Sequence, residues 1–235
     1  MTPWNIVLAS SNKHKLDEIQ EVFKRLSKGL FSLKPITSYP KINFSDIVES
    51  GSTFHENALI KAKGFYEKLS PFLKQETLGV LADDSGLVVP ALGNAPGVFS
   101  ARYAQKGAEN VTDEDNRKKL ISELKKLREY KNQNEGQNGQ FLTKAHFKTS
   151  MVFYSARDRK KETIIEASGI LKGYVTTLEK GRFGFGYDSL FIPDDGKLTL
   201  AQISPEEKNA ISHRAKALEK MTIKLCDFFS SLSVV

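Results

Sequence analysis

Leu78-Gly79-Val80-Leu81-Ala82-Asp83-Asp84-Ser85-Gly86-Leu87-Val88-Val89-Pro90-Ala91-Leu92-Gly93-Asn94-Ala95-Pro96-Gly97 is the stretch on which the reading of this chain turns. An apolar run, Val80–Ala82, leads straight into two adjacent carboxylates, Asp83 and Asp84. Ser85-Gly86 then supplies turn chemistry, and a second apolar run, Leu87–Leu92, carries the chain away. Two acids at the end of a buried strand are costly to desolvate unless something positive meets them. Their natural partners are a divalent cation with oxygen ligands, a buried base, or backbone N–H groups. The competing reading is an Asp-rich turn in which Asp84 and Ser85 cap the backbone. If a strand runs through both acids, alternation sends their side chains to opposite faces, so one faces a given site and the other is structural.

The surrounding chain sets the class. Its 235 residues suit one large domain or two closely joined lobes, and no composition shift or internal repeat divides it. Hydrophobic residues make up 40% and charged residues 27%, the balance of a soluble globular protein. A single cysteine, Cys226, excludes an internal disulfide and fits a reducing compartment. Neither a signal-peptide pattern nor an apolar run of about 18 residues occurs, so a cytoplasmic protein with no membrane partner is expected. The net charge of +7, from 35 Lys+Arg against 28 Asp+Glu, favours an anionic partner: nucleic acid, polyphosphate or nucleotide. The basic residues are scattered, which suits solubility better than a nucleic-acid groove.

Upstream, the apolar run Trp4–Ala9 is followed by Ser10-Ser11-Asn12 and then a helical period through Leu16, Ile19, Val22, Phe23 and Leu26. Strand, polar turn and helix follow, with Asn12 or Ser11 as N-cap. Free N–H groups at such a helix start attract anions, and Lys13 and Lys15 lie beside it; an ordinary βα turn is the alternative. Leu30–Ile36 reads as a second strand. Thr53-Phe54-His55-Glu56 is a capping box, a structural role that competes with any catalytic role for Glu56. Asn57 and Lys61, four apart, share a face of the helix behind it, and His55 reads as a surface residue.

Downstream, Thr112–Tyr130 reads as a helix with an acidic first turn. The polar segment 131–140 reads as a flexible loop within the domain. Phe147–Ser155 and Thr163–Leu171 form an expected hairpin. In Gly181–Asp188 glycines alternate with aromatics, offering either a stacking surface for a flat ligand or a bent strand with core rings. Ser204-Pro205-Glu206-Glu207 is a strong helix start, and Ser212 caps a further helix. His213 and Arg214 then fall in a first turn, where the helix dipole disfavours positive charge, which suggests that they face a ligand.

Six blocks in order, Leu8–Lys15, Glu49–Ala62, Ala82–Leu87, Ala95–Tyr103, Gly184–Asp188 and Lys208–Arg214, resemble the inosine/xanthosine triphosphate pyrophosphatases, the Ham1-like enzymes of non-standard purine nucleotides. The resemblance implies an α/β fold of two lobes about a long central mixed β-sheet, with a substrate cleft between them, and a homodimer. It implies Mg²⁺-dependent attack of water on the α-phosphorus of ITP, dITP or XTP, releasing monophosphate and pyrophosphate and cleansing the nucleotide pool. Under it the whole chain, 1–235, is one such domain.

Carried onto this chain, the resemblance makes Ser10, Ser11, Asn12, Lys13, His14 and Lys15 the phosphate-holding turn, with Lys61 reaching phosphate from its helix. Asp84 becomes the catalytic acid that binds metal and positions or deprotonates water, with Ser85 beside it on the substrate. Glu49 becomes the second metal-associated carboxylate. Phe185 stacks on the base, Gly186 and Tyr187 follow it in the substrate-binding segment, and Asp188 bonds the nucleoside end. Lys208, His213 and Arg214 contact its 6-keto edge. Mg²⁺ suits a pair of carboxylates because it keeps most of its waters. Arg214 carries only donors, so adenine's amino group would set donor against donor.

Ser11, where many relatives have Gly, and Ser189, where Pro commonly follows Gly-Tyr-Asp, depart from the pattern, and the Tyr130–Ala145 segment is longer than usual. Two other readings stand against this one. A Maf-like pyrophosphatase of pyrimidine or methylated nucleotides lacks the Ser-His-Arg block and would begin with more arginine. A basic nucleic-acid-binding protein fits the buried carboxylates poorly.

Overall fold

A computed structural model describes residues 3–107, 111–130, 142–157 and 162–232. The expected flexible loop at 131–140 lies outside the described residues. The strands are β1 (Trp4–Leu8), β2 (Phe31–Pro35), β3 (Thr77–Val88), β4 (Leu142–Ser155), β5 (Thr163–Thr176) and β6 (Phe191–Pro193). The helices are α1 (Lys13–Ser27), α2 (Phe54–Leu69), α3 (Asp113–Tyr130), α4 (Pro205–Ile211) and α5 (His213–Leu232). The strands form one sheet in the order β2-β1-β3-β4-β5-β6. It is mixed, since β1 pairs in parallel with β2 and β3 while β5 and β6 run antiparallel. Among the described residues, no helix is long and apolar enough to cross a membrane.

Contacts divide the chain into two compact units. One comprises Met1–Asp84, Thr149–Gly169 and His213–Val235; the other comprises Ser85–Lys148 and Ile170–Ser212. The first is layered by strand alternation. Ile6 and Leu8 of β1, Leu81 of β3 and Phe153 of β4 pack with Ile19 and Phe23 of α1 and with Leu218 and Met221 of α5. The residues between them, Val7, Val80, Ala82 and Val152, pack instead against Ala58, Ala62, Phe65 and Leu69 of α2. A period of two on the strands therefore assigns α1 and α5 to one sheet face and α2 to the other. In the second unit Leu87, Val89, Phe147, Leu171 and Val175 meet Leu120 and Leu124 of α3, with Tyr187, Leu190 and Phe191 completing the core.

The local signals at helix starts held. Thr53 caps α2 and Ser204 caps α4, each with its glutamate three residues on in a reciprocal capping box. Asn12, not Ser11, caps α1. One reading needs correction: Ser85-Gly86 is not a turn, because β3 continues without a break from Thr77 to Val88. The reason is a contact that local sequence does not show. The Ser100 hydroxyl accepts from Leu87 N–H at 2.9 Å, and it sits so close to Gly86 that a Cβ there would collide with it. Glycine here admits a neighbouring side chain to a strand and does not bend the chain.

Candidate active site

Asp83 and Asp84 inherit the two-sided layering. Asp83 is in step with Leu81, so its carboxylate points to the α1/α5 face, whereas Asp84 is in step with Ala82 and points to the α2 face. The Lys15 ammonium of α1 lies 3.1 Å from the Asp83 carboxylate, and the Arg214 guanidinium of α5 lies 3.9 Å from it. On the other face, Asn57 Nδ2 of α2 donates to Asp84 at 3.1 Å. Both acids are buried.

Their titration moves in opposite directions. Burial alone would raise the Asp83 carboxyl, but the charges of Lys15, Arg214 and Lys61 outweigh it and hold this group well below the usual carboxylate range. For Asp84, desolvation wins and the Glu49 charge adds to it, so its proton affinity is raised despite Lys61, Lys15 and the Asn57 hydrogen bond. Asp83 is thus a fixed anion, and Asp84 is a carboxylate whose charge a cation would relieve.

Helix α2 and the segments that precede α2 and α1 supply the remaining groups of this unit. Lys61 pairs with Glu49 at 3.0 Å and donates to the Asp83 backbone carbonyl at 2.9 Å. Asn57 bridges, because its side-chain oxygen also accepts from Gly51 N–H at 2.7 Å. The Ser52 and Thr53 amides are taken by Glu56, which settles Glu56 as the box residue of the α2 cap. At the start of α1, Asn12 Oδ1 accepts from Lys15 N–H at 3.1 Å and Ser10 Oγ accepts from Asn12 N–H at 3.3 Å. Ser11, Lys13 and His14 are exposed there. His55, expected at the surface, is about half exposed and faces Glu166 at 3.4 Å.

The first turn of α5 is deeply buried, with His213 and Arg214 each under a twentieth exposed. Arg214 is ion-paired with Glu18 of α1 as well as with Asp83. Gly169 of β5 makes this seat possible, since a Cβ on it would run into the His213 carbonyl and the Ala217 amide.

In the second unit the Gly-aromatic segment forms a tight loop. Lys208 pairs with Asp188 at 2.6 Å, and both are buried. The same Asp188 oxygen accepts from Phe185 N–H at 2.9 Å, and the Lys208 ammonium lies 4.6 Å from the Phe185 ring centroid. A positive φ of +76 at Gly184, where a Cβ would strike Asp188, requires glycine. Tyr187 faces inward and donates its hydroxyl to the Ser100 carbonyl at 2.8 Å, while Phe185 and Gly186 are partly exposed. Ser85 is half-buried at its place on β3.

The structure therefore gathers Lys15, Glu49, Lys61, Asp84 and Arg214 in one unit and Phe185, Asp188 and Lys208 in the other. Asp83, Asn57 and Glu18 join the first set without having been singled out as site residues. Asn57 carried a signal, being one turn before Lys61; Glu18 carried none. As for a metal, Glu49 and Asp84 offer oxygen donors, and among the described residues no group of three or more His, Cys, Asp or Glu stands together. A carboxylate pair of this kind, with one member held at raised proton affinity, fits hydrated Mg²⁺ and no thiophilic ion.

Comparison with known proteins agrees over nearly the whole chain. Residues 6–224 match the model of the Ham1 family. The dITP/XTP pyrophosphatase of Thermoanaerobacter pseudethanolicus is 40% identical over 217 residues, covering 92% of this chain and 93% of the relative. That of Campylobacter jejuni is 40% identical over 224 residues, covering 94% and 96%. Among solved structures, a HAM1 protein from Coxiella burnetii superposes with a TM-score of 0.74 at 34% identity, over 95% of this chain and 99% of that one.

Proposed function

Because this chain belongs to the Ham1 family and is a pyrophosphatase of non-standard purine nucleoside triphosphates, we propose a division of labour among its residues. The observation that carries it is the pair of β3 acids met by opposite surroundings, with Lys15, Lys61 and Arg214 about them. Ser10 to Lys15 and Lys61 hold the triphosphate, with the start of α1 and the ammonium groups of Lys13, Lys15 and Lys61 to balance its charge. Asp84 is the catalytic carboxylate. Its raised proton affinity suits a group that orients the attacking water and accepts its proton. Ser85 is its neighbour on the substrate.

Glu49 and Asp84 hold Mg²⁺, which when bound supplies charge neutralisation at the phosphates. Lys61 pairs with Glu49 at 3.0 Å and anchors on β3, so it fixes the distance between the two carboxylate-bearing segments. Phe185 stacks on the base, with Gly186 and Tyr187 shaping its loop and Asp188 at the nucleoside end. Lys208, His213 and Arg214 carry donors for a 6-keto edge, which hypoxanthine and xanthine present and adenine does not. A cytoplasmic homodimer completes the reading.

Side-by-side release of pyrophosphate from ITP, XTP, dATP, GTP and dTTP, with Mg²⁺ or chelator, tests it. ITP and XTP should be cleaved at least about tenfold more efficiently than dATP and dTTP. Equal turnover of dATP and ITP would remove the base reading, and undiminished activity in chelator would remove the metal.

A further inference from the structure

Both peptides that flank the Gly186 Cα are held by α3. The Gly186 N–H donates to the Asp113 carboxylate at 2.7 Å, and its carbonyl accepts from Arg117 Nη1 at 3.1 Å. Asp113 opens α3 and Arg117 follows one turn later, so a single helix face presents one acceptor and one donor. Arg117 is itself held: its Nε donates to Glu179 at 2.9 Å, and Glu179 accepts the Ser189 hydroxyl at 3.1 Å.

A purely stabilising role explains this poorly. The side chains of Arg117 and Glu179 are 21% and 38% exposed, and ion pairs so placed contribute about 0–1 kcal/mol. What bonds to the two peptides flanking one Cα do well is fix the φ and ψ between them. Gly186 lies at a φ of +59, free of side-chain restraint, and it immediately follows Phe185. Rotation about its φ and ψ would turn the Phe185–Gly186 peptide and swing the neighbouring ring.

We propose that Arg117 and Asp113 are positioning residues for nucleotide binding, gripping the peptides on either side of Gly186 so that the Phe185 ring is presented at the angle a base stacks on. This rests on the reading of Phe185 as the stacking ring. Neither residue touches the nucleotide; both act through the loop. Glu179 and Ser189 hold the guanidinium in its place.

Steady-state kinetics on ITP with single and double variants test it, with thermal melts confirming that each variant folds. Arg117→Met keeps the aliphatic stem and loses the donors, so KM should rise about tenfold while kcat stays within about twofold. Asp113→Ala should do the same, whereas Asp113→Asn, which keeps a carbonyl acceptor, should hold KM near the starting value. In a Phe185→Ala background, Arg117→Met should add less than about twofold, because the ring it serves is gone. An unchanged KM in Arg117→Met overturns the proposal, and so does a full additional effect on top of Phe185→Ala. If Phe185→Ala raises KM and Arg117→Met does not, the clamp fails alone. If Phe185→Ala leaves KM unchanged, the stacking reading fails and takes the clamp with it.

Discussion

Lys15 of α1 places its ammonium 3.1 Å from the Asp83 carboxylate, while Asn57 of α2, on the other face of the sheet, donates to Asp84 at the same distance. One residue's step along β3 thus separates an acid held by charge from an acid held by a neutral amide. The two should respond to neutralisation with opposite signs.

Asp84→Asn should lower kcat by about 10²-fold or more, since it removes a carboxylate that can hold metal and accept a proton. An acid whose folded proton affinity is raised costs stability when ionised at neutral pH. The same substitution should therefore raise the melting temperature in chelator and abolish any further rise on adding Mg²⁺. Thermal melts with and without Mg²⁺, beside pyrophosphate release, check both. A destabilised Asp84→Asn in chelator would show that its ionised form is already well compensated.

Asp83→Asn should behave in the reverse manner. The folded carboxyl is held below its unfolded value, so its stabilising effect is complete above about pH 4 and is lost as the pH falls through the depressed folded value. Removing one member of a buried ion pair costs about 3 kcal/mol or more at neutral pH. Urea unfolding of the two proteins in chelator should show that gap at pH 7, narrowing below pH 4. A gap constant from pH 7 to pH 3 would mean that the Lys15 pair contributes nothing to the fold.

Much of this arrangement was legible because it is local. The capping boxes at Thr53 and Ser204, the Asn12 cap and the shared face of Asn57 and Lys61 follow from spacings of three and four. The opposition of Asp83 and Asp84 needed only the assumption of a continuous strand. That strand, however, was obscured by Ser85-Gly86, whose turn chemistry is overruled by Ser100, bonded to Leu87 13 residues before it. Arg214 shows the same limit from the other end. Its cationic place in a first helical turn pointed to a ligand, but the structure also pairs it with Glu18, 196 positions distant, and with Asp83. Contacts at such separation leave no periodic trace in the sequence.

Gly169→Ala should disturb the first turn of α5 without touching any ionisable group. A methyl there meets the His213 carbonyl and the Ala217 amide, backbone atoms that cannot swing aside. Crowding of this kind costs about 1–3 kcal/mol. Gly173→Ala on the same strand is the control, since its methyl would strike the Ile192 carbonyl and the Phe191 ring instead. Both should lower stability, but the Gly169 variant alone should lower the ratio of ITP to ATP efficiency. Equal ratios in the two variants would mean that the seating of His213 and Arg214 has no part in selection.

The sharpest separation of stacking from reading lies in Phe185 and Arg214. Phe185→Ala removes a ring face, worth about 1–3 kcal/mol by analogy with base–aromatic stacking on single strands. Every base has such a face, so the loss should appear in KM and fall alike on ITP, XTP and ATP. Arg214→Ala removes directional donors, and its effect should fall hardest on ITP and XTP while the slow ATP reaction barely changes. Because Arg214 is also paired with Glu18 and Asp83, this variant should melt lower, so each comparison is made well below its melting temperature. The efficiency ratio of ITP to ATP should then drop for Arg214→Ala and hold for Phe185→Ala. Equal losses on all nucleotides in both variants would make Arg214 a support for Asp83 and leave the reading of the 6-keto edge to Lys208 and His213.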